Sequence, residues 1–228
     1  MAWANVLNGN CRDADTAARA LEDLCRQYWP AIYGYLRALG LGKEEAEDMA
    51  QEFVAEFMMG GLIQRADPER GRLRGYIRQS VRHFLSNRRR NGKCLKRGGT
   101  HEHVAWESIA EREQPSHGAP PDQTYDREWA LTVMERAMAS LRDRYTSRGR
   151  QAMFDLIKPS LASTGAQEPY AAIGLSAGVN EDQIRVEIHR ARRRLADALR
   201  HEVAATVASA DEVEEELRYL LTVLAYGC

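Results

Sequence analysis

Apolar residues recur at steps of three and four along most of the chain, the spacing of one buried face on an α-helix. From Asp15 to Leu39 the set is Ala17, Leu21, Leu24, Tyr28, Ile32, Tyr35, Leu36 and Leu39. Pro30 falls inside it and predicts a kink or split just before that residue, with Gly40 and Gly42 as the stop. Lys43 to Met59 repeats the pattern with Ala46, Met49, Ala50, Phe53 and Phe57, and Gly71 to Arg90 with Leu73, Tyr76, Ile77, Val81, Phe84 and Leu85. Further on, Trp129, Val133, Ala137 and Leu141, flanked by Ala130 and Met134, predict a helix from Tyr125 to about Arg144. Another covers roughly Ser147 to Ile157 and stops at Pro159. Pro169 suits the first helical position of a short helix over Tyr170–Ala177.

Asn180-Glu-Asp-Gln183 has the form of a capping box and opens a long helix with Ile184, Ile188, Ala191 and Leu195 on its buried side. A short helix, a turn at Gly178 and a capped second helix make a helix-turn-helix. At the C-terminal end, acids from Asp211 precede Leu217, Leu220, Leu221 and Leu224, which predicts a terminal helix laid on the second domain, with a partner-binding helix as the alternative. The texture changes only between Asn91 and Thr124, which is rich in Gly, Pro, Ser and His, with a short helical turn expected around Trp106 to Glu111. The expected fold is therefore all-α. Two small helical domains, 1–92 and 125–228, are joined by a flexible linker at 93–124, and 1–12 is a loose leader.

The 228 residues carry a formal net charge of −1, but this averages separated blocks: 43–56 and 211–216 are acidic, 70–97 and 185–200 basic. Arginines stand at 72, 74, 78, 82, 88, 89 and 90, and no acid interrupts them. Arg74, Arg78 and Arg82 step by four and are expected to line one exposed face, which suits a row of phosphates. A solvated charged face is the common fate of such a run; mutual repulsion without compensating acids favours a polyanion partner. In the helix-turn-helix, Glu181, Gln183, Arg185, Val186, His189 and Arg190 are placed to reach base edges, and Arg192, Arg193 and Arg194 to hold the phosphate backbone.

Other chemistry has little support. Cys11, Cys25, Cys94 and Cys228 follow no disulfide or zinc spacing and are expected to stay reduced. Cys94 with His101 and His103 is too weak a set to predict a metal, and no cofactor is expected. There is no Gly-rich phosphate loop, no metal-spaced acid cluster and no nucleophile with a placed base, so an enzyme is not expected. No apolar run approaches a membrane span, and a soluble, cytoplasmic protein without membrane contact is expected.

With these motifs in hand, the chain resembles the extracytoplasmic-function group of bacterial sigma factors over most of its length. AEDMAQEFVAEFM (46–58) looks like the family helix that docks on the clamp helices of the large subunit of core RNA polymerase. The resemblance makes Asp48, Gln51, Glu52 and Glu56 candidate polymerase contacts. GRLRGYIRQSVRHFLSNRRR (71–90) is similar to the element that reads and helps melt the minus-ten promoter element. This implies DNA contacts by Arg72, Arg74, Tyr76, Arg78, Arg82, Asn87, Arg88 and Arg90, with Tyr76 stacking on an unpaired base. YAAIGLSAGVNEDQIRVEIHRARRRL (170–195) resembles the helix-turn-helix that reads the minus-thirty-five element, implying roles for Asn180, Gln183, Arg185, Val186, His189, Arg190 and Arg193. Each motif alone is weak; the order of acidic helix, basic helix, linker and helix-turn-helix is more specific.

The chain departs from the family's usual Phe at Leu73, Asn at His83, Asp at Asn87 and Leu at Ala177. The function the resemblance implies is transcription initiation: a non-enzymatic sigma subunit bound to core RNA polymerase on double-stranded and partly melted promoter DNA. An anti-sigma factor is a further partner of that family. The alternative is an autonomous helix-turn-helix regulator that binds duplex DNA without polymerase.

Overall fold

The computed structural model describes residues 14–59, 66–67, 72–91, 119–162 and 169–226. Among these, every regular element is a helix: α1 (Ala14–Ala38), α2 (Lys43–Met59), α3 (Leu73–Asn91), α4 (Pro121–Thr146), α5 (Gln151–Ile157), α6 (Pro159–Ala162), α7 (Tyr170–Ala177), α8 (Glu181–Ala204) and α9 (Asp211–Tyr226). The short helical turn expected around 106–111 and the Cys94, His101 and His103 set lie outside the described residues.

Two compact units divide the chain. The first comprises the described residues of Met1–Thr132 and Ala204–Cys228, the second Val133–Val203. The expected boundary at 125 thus lies inside the first unit, and the division falls within α4.

The first unit is built on α1, which packs against α2. Its stripe is buried at Leu24, Tyr28, Ile32, Tyr35 and Leu36, while Leu39 is 36% exposed at the helix end. Pro30 neither splits α1 nor ends it. A proline costs a helix interior about 3 kcal/mol, and the neighbouring side chains Tyr28, Trp29, Ala31 and Ile32 are all buried, which offsets that loss. α1 ends in a Schellman turn at Gly40 (φ +92°), where the Leu41 N–H donates to the Leu36 carbonyl at 3.3 Å. Phe53 of α2 packs its ring 5.6 Å from those of Phe57 and Phe84, so α2 and α3 share one aromatic core.

Three boundaries differ from the sequence reading. α4 begins at Pro121 rather than Tyr125, because Pro suits a first helical position and Asp122 the positive helix end. Residues 147–149 form a turn, so the next helix starts at Gln151 rather than Ser147. Pro169 is the N-cap of α7, one place before the first helical position. A larger difference concerns α9. It belongs to the first unit, not to the second domain, and it buries Leu217 and Leu220 but leaves Leu221 53% exposed.

Cys25, the one cysteine among the described residues, is buried in α1. Burial, with the charge of Glu22 adding, pushes its thiol up to about 12, which keeps it protonated and unreactive at neutral pH.

Phe53→Ala should cost about 3–5 kcal/mol of stability, read as a lowered urea midpoint. Met59→Ala, at a side chain 88% exposed, should change it by less than about 0.5 kcal/mol.

Candidate nucleic-acid interfaces

Two cationic faces were expected, and the structure treats them differently. On α3 the apolar positions Leu73, Ile77, Val81, Phe84 and Leu85 are buried as the spacing predicts. The arginine row is not the exposed face expected of it. Arg74 is only 8% exposed, Arg72 and Arg78 are half-buried, and Arg82 is exposed. The acids missing from the local sequence arrive from other helices of the same unit.

Arg74 is the centre of this cluster. Its Nε donates to Glu216 Oε1 at 2.9 Å and its Nη1 donates to Asp126 Oδ1. Its guanidinium lies 4.2 Å from the Tyr219 ring centroid and 5.0 Å from that of Trp129, so two aromatic faces enclose it. Arg78 donates to the other Asp126 oxygen at 2.9 Å, and the Tyr219 hydroxyl donates to it at 2.7 Å. Arg72 reaches Glu215 at 2.6 Å and Glu216 at 2.7 Å. Asp126 and Glu216 are 6% and 1% exposed, so these are desolvated charges that depend on their partners. Burial works against the Arg74 charge, but the hydrogen bond and charge of Glu216, with the charge of Asp126, outweigh it and hold the group above an arginine's ordinary value.

The remaining α3 candidates are spread between commitment and exposure. Arg82 pairs with Asp122 and donates to the Tyr35 hydroxyl at 3.3 Å. Arg88 pairs with Glu52 of α2 and lies 5.4 Å from the Phe84 ring centroid. Tyr76 is half-buried, its ring 6.3 Å from that of Phe57, rather than standing out for a base. Asn87, Arg89 and Arg90 are exposed near the helix end. On α2, Asp48 and Glu56 are exposed, while Gln51 and Glu52 are half-buried. Glu52, read as a partner contact, is thus engaged within the chain by Arg88.

The helix-turn-helix in the second unit follows its expected chemistry closely. α7 ends in a Schellman turn: Gly178 has φ +67°, its N–H donates to the Leu175 carbonyl at 3.3 Å, and the Val179 N–H to the Gly174 carbonyl at 2.9 Å. A side chain at Gly174 is excluded for a different reason, since its Cβ would lie 2.7 Å from the Val179 carbonyl oxygen. The capping box is reciprocal. The Gln183 N–H donates to Asn180 Oδ1 at 2.8 Å, and the Asn180 N–H to Gln183 Oε1 at 3.0 Å. Ile184, Ile188, Ala191 and Leu195 form the buried side of α8.

The outward positions Asn180, Gln183, Arg185, Val186, His189, Arg190 and Arg193 are all exposed. Three have duties within the chain: Asn180 and Gln183 close the cap, and Arg185 donates to Glu181 at 2.8 Å and Asp182 at 3.1 Å. Arg192 donates to the Ser160 carbonyl at 2.7 Å and so ties α8 to α6 rather than standing wholly ready for phosphate. A surface pocket of about 500 Å³ lies at this end of α8, bordered by Arg150, Asn180, Gln183, Val186 and Arg190.

Beneath it sits a group the sequence reading passed over. Glu187 is 8% exposed, accepts from the Tyr145 hydroxyl at 2.5 Å and pairs with Arg150 at 3.2 Å. Burial raises its pKa, but hydrogen bonds from Tyr145 and Arg150 and the charges of Arg150 and Arg194 outweigh that, so the carboxyl titrates below its ordinary 4.5. Burial, then the hydrogen bond and charge of Glu187, push the Tyr145 hydroxyl up to about 12. The available signal was position: 187 lies three after Ile184 and four before Ala191, on the apolar stripe.

Gly174→Ala should lower stability by at least about 1–3 kcal/mol, because the obstructing atom is backbone, read as a lowered urea midpoint. Glu187, a carboxylate with a depressed pKa, contributes stability above its unfolded value near 4.5 that is lost as pH falls through the folded value. Glu187→Gln should therefore melt below the parent at pH 7, with the gap narrowing below pH of about 4.

Comparison of the chain with protein-family models, with curated proteins and with solved structures gave no match.

Proposed function

We propose that this chain is a non-enzymatic, cytoplasmic transcription initiation factor of the sigma type, working as a subunit on core RNA polymerase. The observation that carries the reading is the helix-turn-helix of α7 and α8. Its Schellman turn and reciprocal capping box hold the helix rigidly while Arg185, Val186, His189, Arg190 and Arg193 face outward. This is the arrangement a major-groove reader needs: side chains at the N-terminal half of one helix for base edges, with further arginines for phosphates.

The second support is the acidic side of α2, where Glu44, Glu45, Asp48 and Glu56 are exposed opposite buried Ala46, Ala50, Phe53 and Phe57. A helix fixed by its apolar side and carrying acids outward suits a basic protein partner. In this proposal α2 docks on polymerase, α8 reads the upstream promoter element in duplex form, and the free end of α3, at Asn87, Arg89 and Arg90, meets the downstream element. The two DNA-binding parts belong to different units, α3 to the first and α8 to the second, with the division inside α4. Among the described residues no helix is long and apolar enough to cross a membrane.

The test is co-elution of the full chain with core RNA polymerase on size-exclusion chromatography. Asp48→Arg with Glu56→Arg is the informative variant, since Glu52 is held by Arg88 and its reversal would disturb α2 against α3. Co-elution by the parent, lost in the variant with its circular dichroism and melting unchanged, is the expected result. Absence of association, together with tight duplex binding by the chain alone, would replace this reading with that of an autonomous helix-turn-helix regulator.

A further inference from the structure

The arginine row of α3 is occupied by the chain's own acids. Arg72, Arg74 and Arg78 face Asp126, Glu215 and Glu216, three cations against three carboxylates, within 2.9 Å wherever the ion pair has ordinary length. Two of those acids and the enclosing Tyr219 come from α9, whose acidic residues lie 142 and 143 positions further along the chain from the arginines they bind. Carboxylate oxygens here accept from the arginine donors that phosphate oxygens of a nucleic acid would use.

We propose that α9 is an intramolecular mask for the start of α3: it holds Arg72 and Arg74 against nucleic acid until it is displaced, and phosphates then take the places of Glu215 and Glu216. The inference rests on α3 being a nucleic-acid surface, as in the function proposed above. Two features of the contact make it reversible rather than a permanent part of the core. α9 attaches through a graded edge: Glu216 is 1% exposed, whereas the Glu215 side chain is 59% exposed and open to competition by solvent ions. Its apolar anchor is also short. Leu217 and Leu220 are buried, while Leu221 is exposed and Val223 and Leu224 only half-buried. A helix whose exposed edge is held by charge is open there to a denser anion, and the charges of Arg72 and Arg74 then become available to it.

The experiment measures hydrogen exchange across 211–226 in the full-length protein with and without a mixed-sequence single-stranded DNA. Affinity for the same DNA is measured by fluorescence anisotropy over a salt series. The variants are Glu215→Gln, Glu215→Gln with Glu216→Gln, a charge-matched control Asp143→Asn with Asp155→Asn, and Arg89→Gln with Arg90→Gln. Under the proposal, DNA accelerates exchange in α9. The Glu215 and Glu216 variants bind about tenfold more tightly than the control, with a salt slope steeper by roughly one to two as phosphate contacts are gained.

If the Arg89 and Arg90 change weakens DNA binding, while α9 stays protected and the Glu215 variant binds no tighter than the control, the mask is refuted and the α3 surface stands. If the Arg89 and Arg90 change leaves DNA binding untouched, α3 is not the nucleic-acid surface and the mask falls with it. Should the double variant fail to fold, Glu215→Gln and the exchange of the parent protein decide the matter alone.

Discussion

A single buried guanidinium organises the first unit. Arg74 is nearly withdrawn from water, and a desolvated charge survives only with well-placed partners. It finds Asp126, 52 residues on, and Glu216, 142 residues on. Satisfying one side chain therefore fixes where α4 begins its course and where the end of the chain returns. An apolar side chain at 74 would have been simpler to bury, and buried ion clusters are often no more stable than packed apolar replacements. What the cluster adds is discrimination. Only a helix with a carboxylate at 216 and an aromatic ring three places on closes both the charge and the face of Arg74, so α9 has one register on α3.

The local rules of the helix were legible in the residues themselves. Lys43–Met59 and Tyr170–Ala177 have the expected limits, and Asn180 with Gln183 forms the reciprocal cap that its spacing implies. Partner choice was not legible, because a four-residue step of arginines looks the same whether it faces water or an acidic helix. A better signal was present in the exceptions. Arg74, Asp126, Glu187 and Glu216 each fall on the apolar stripe of their own helix, and each is 6–8% exposed or less. A charge on a stripe must be buried with its helix, and a buried charge must be paired. Tertiary context then names the partner, which no periodicity can do.

The same distinction explains Pro30. Its ring and missing N–H count against a helix interior by local rules, yet α1 runs through it because the helix around it is walled in on most sides by core contacts. Local preference sets the default, and dense packing overrides it.

The two cationic faces differ in what it costs to engage them, and this sets an order on the proposed mechanism. On α8, Arg185 is held by Glu181 and Asp182 with all three side chains about half or more exposed. Such intrahelical pairs contribute only about 0.3–0.5 kcal/mol, so an anion displaces them at almost no cost. On α3, freeing Arg74 strands the buried carboxylates of Asp126 and Glu216, and breaking such a pair costs about 3–5 kcal/mol. One phosphate contact does not repay that; several made together, with α9 leaving as a unit and its carboxylates regaining solvent, can. In the proposed mechanism, duplex contact through α8 would therefore be the early, reversible event. Engagement of the α3 arginines would be the late one, drawing on binding energy gathered elsewhere in the proposed assembly. A factor built this way would be slow to hold single-stranded DNA alone, yet able to do so once polymerase and the upstream element have brought the strands to it.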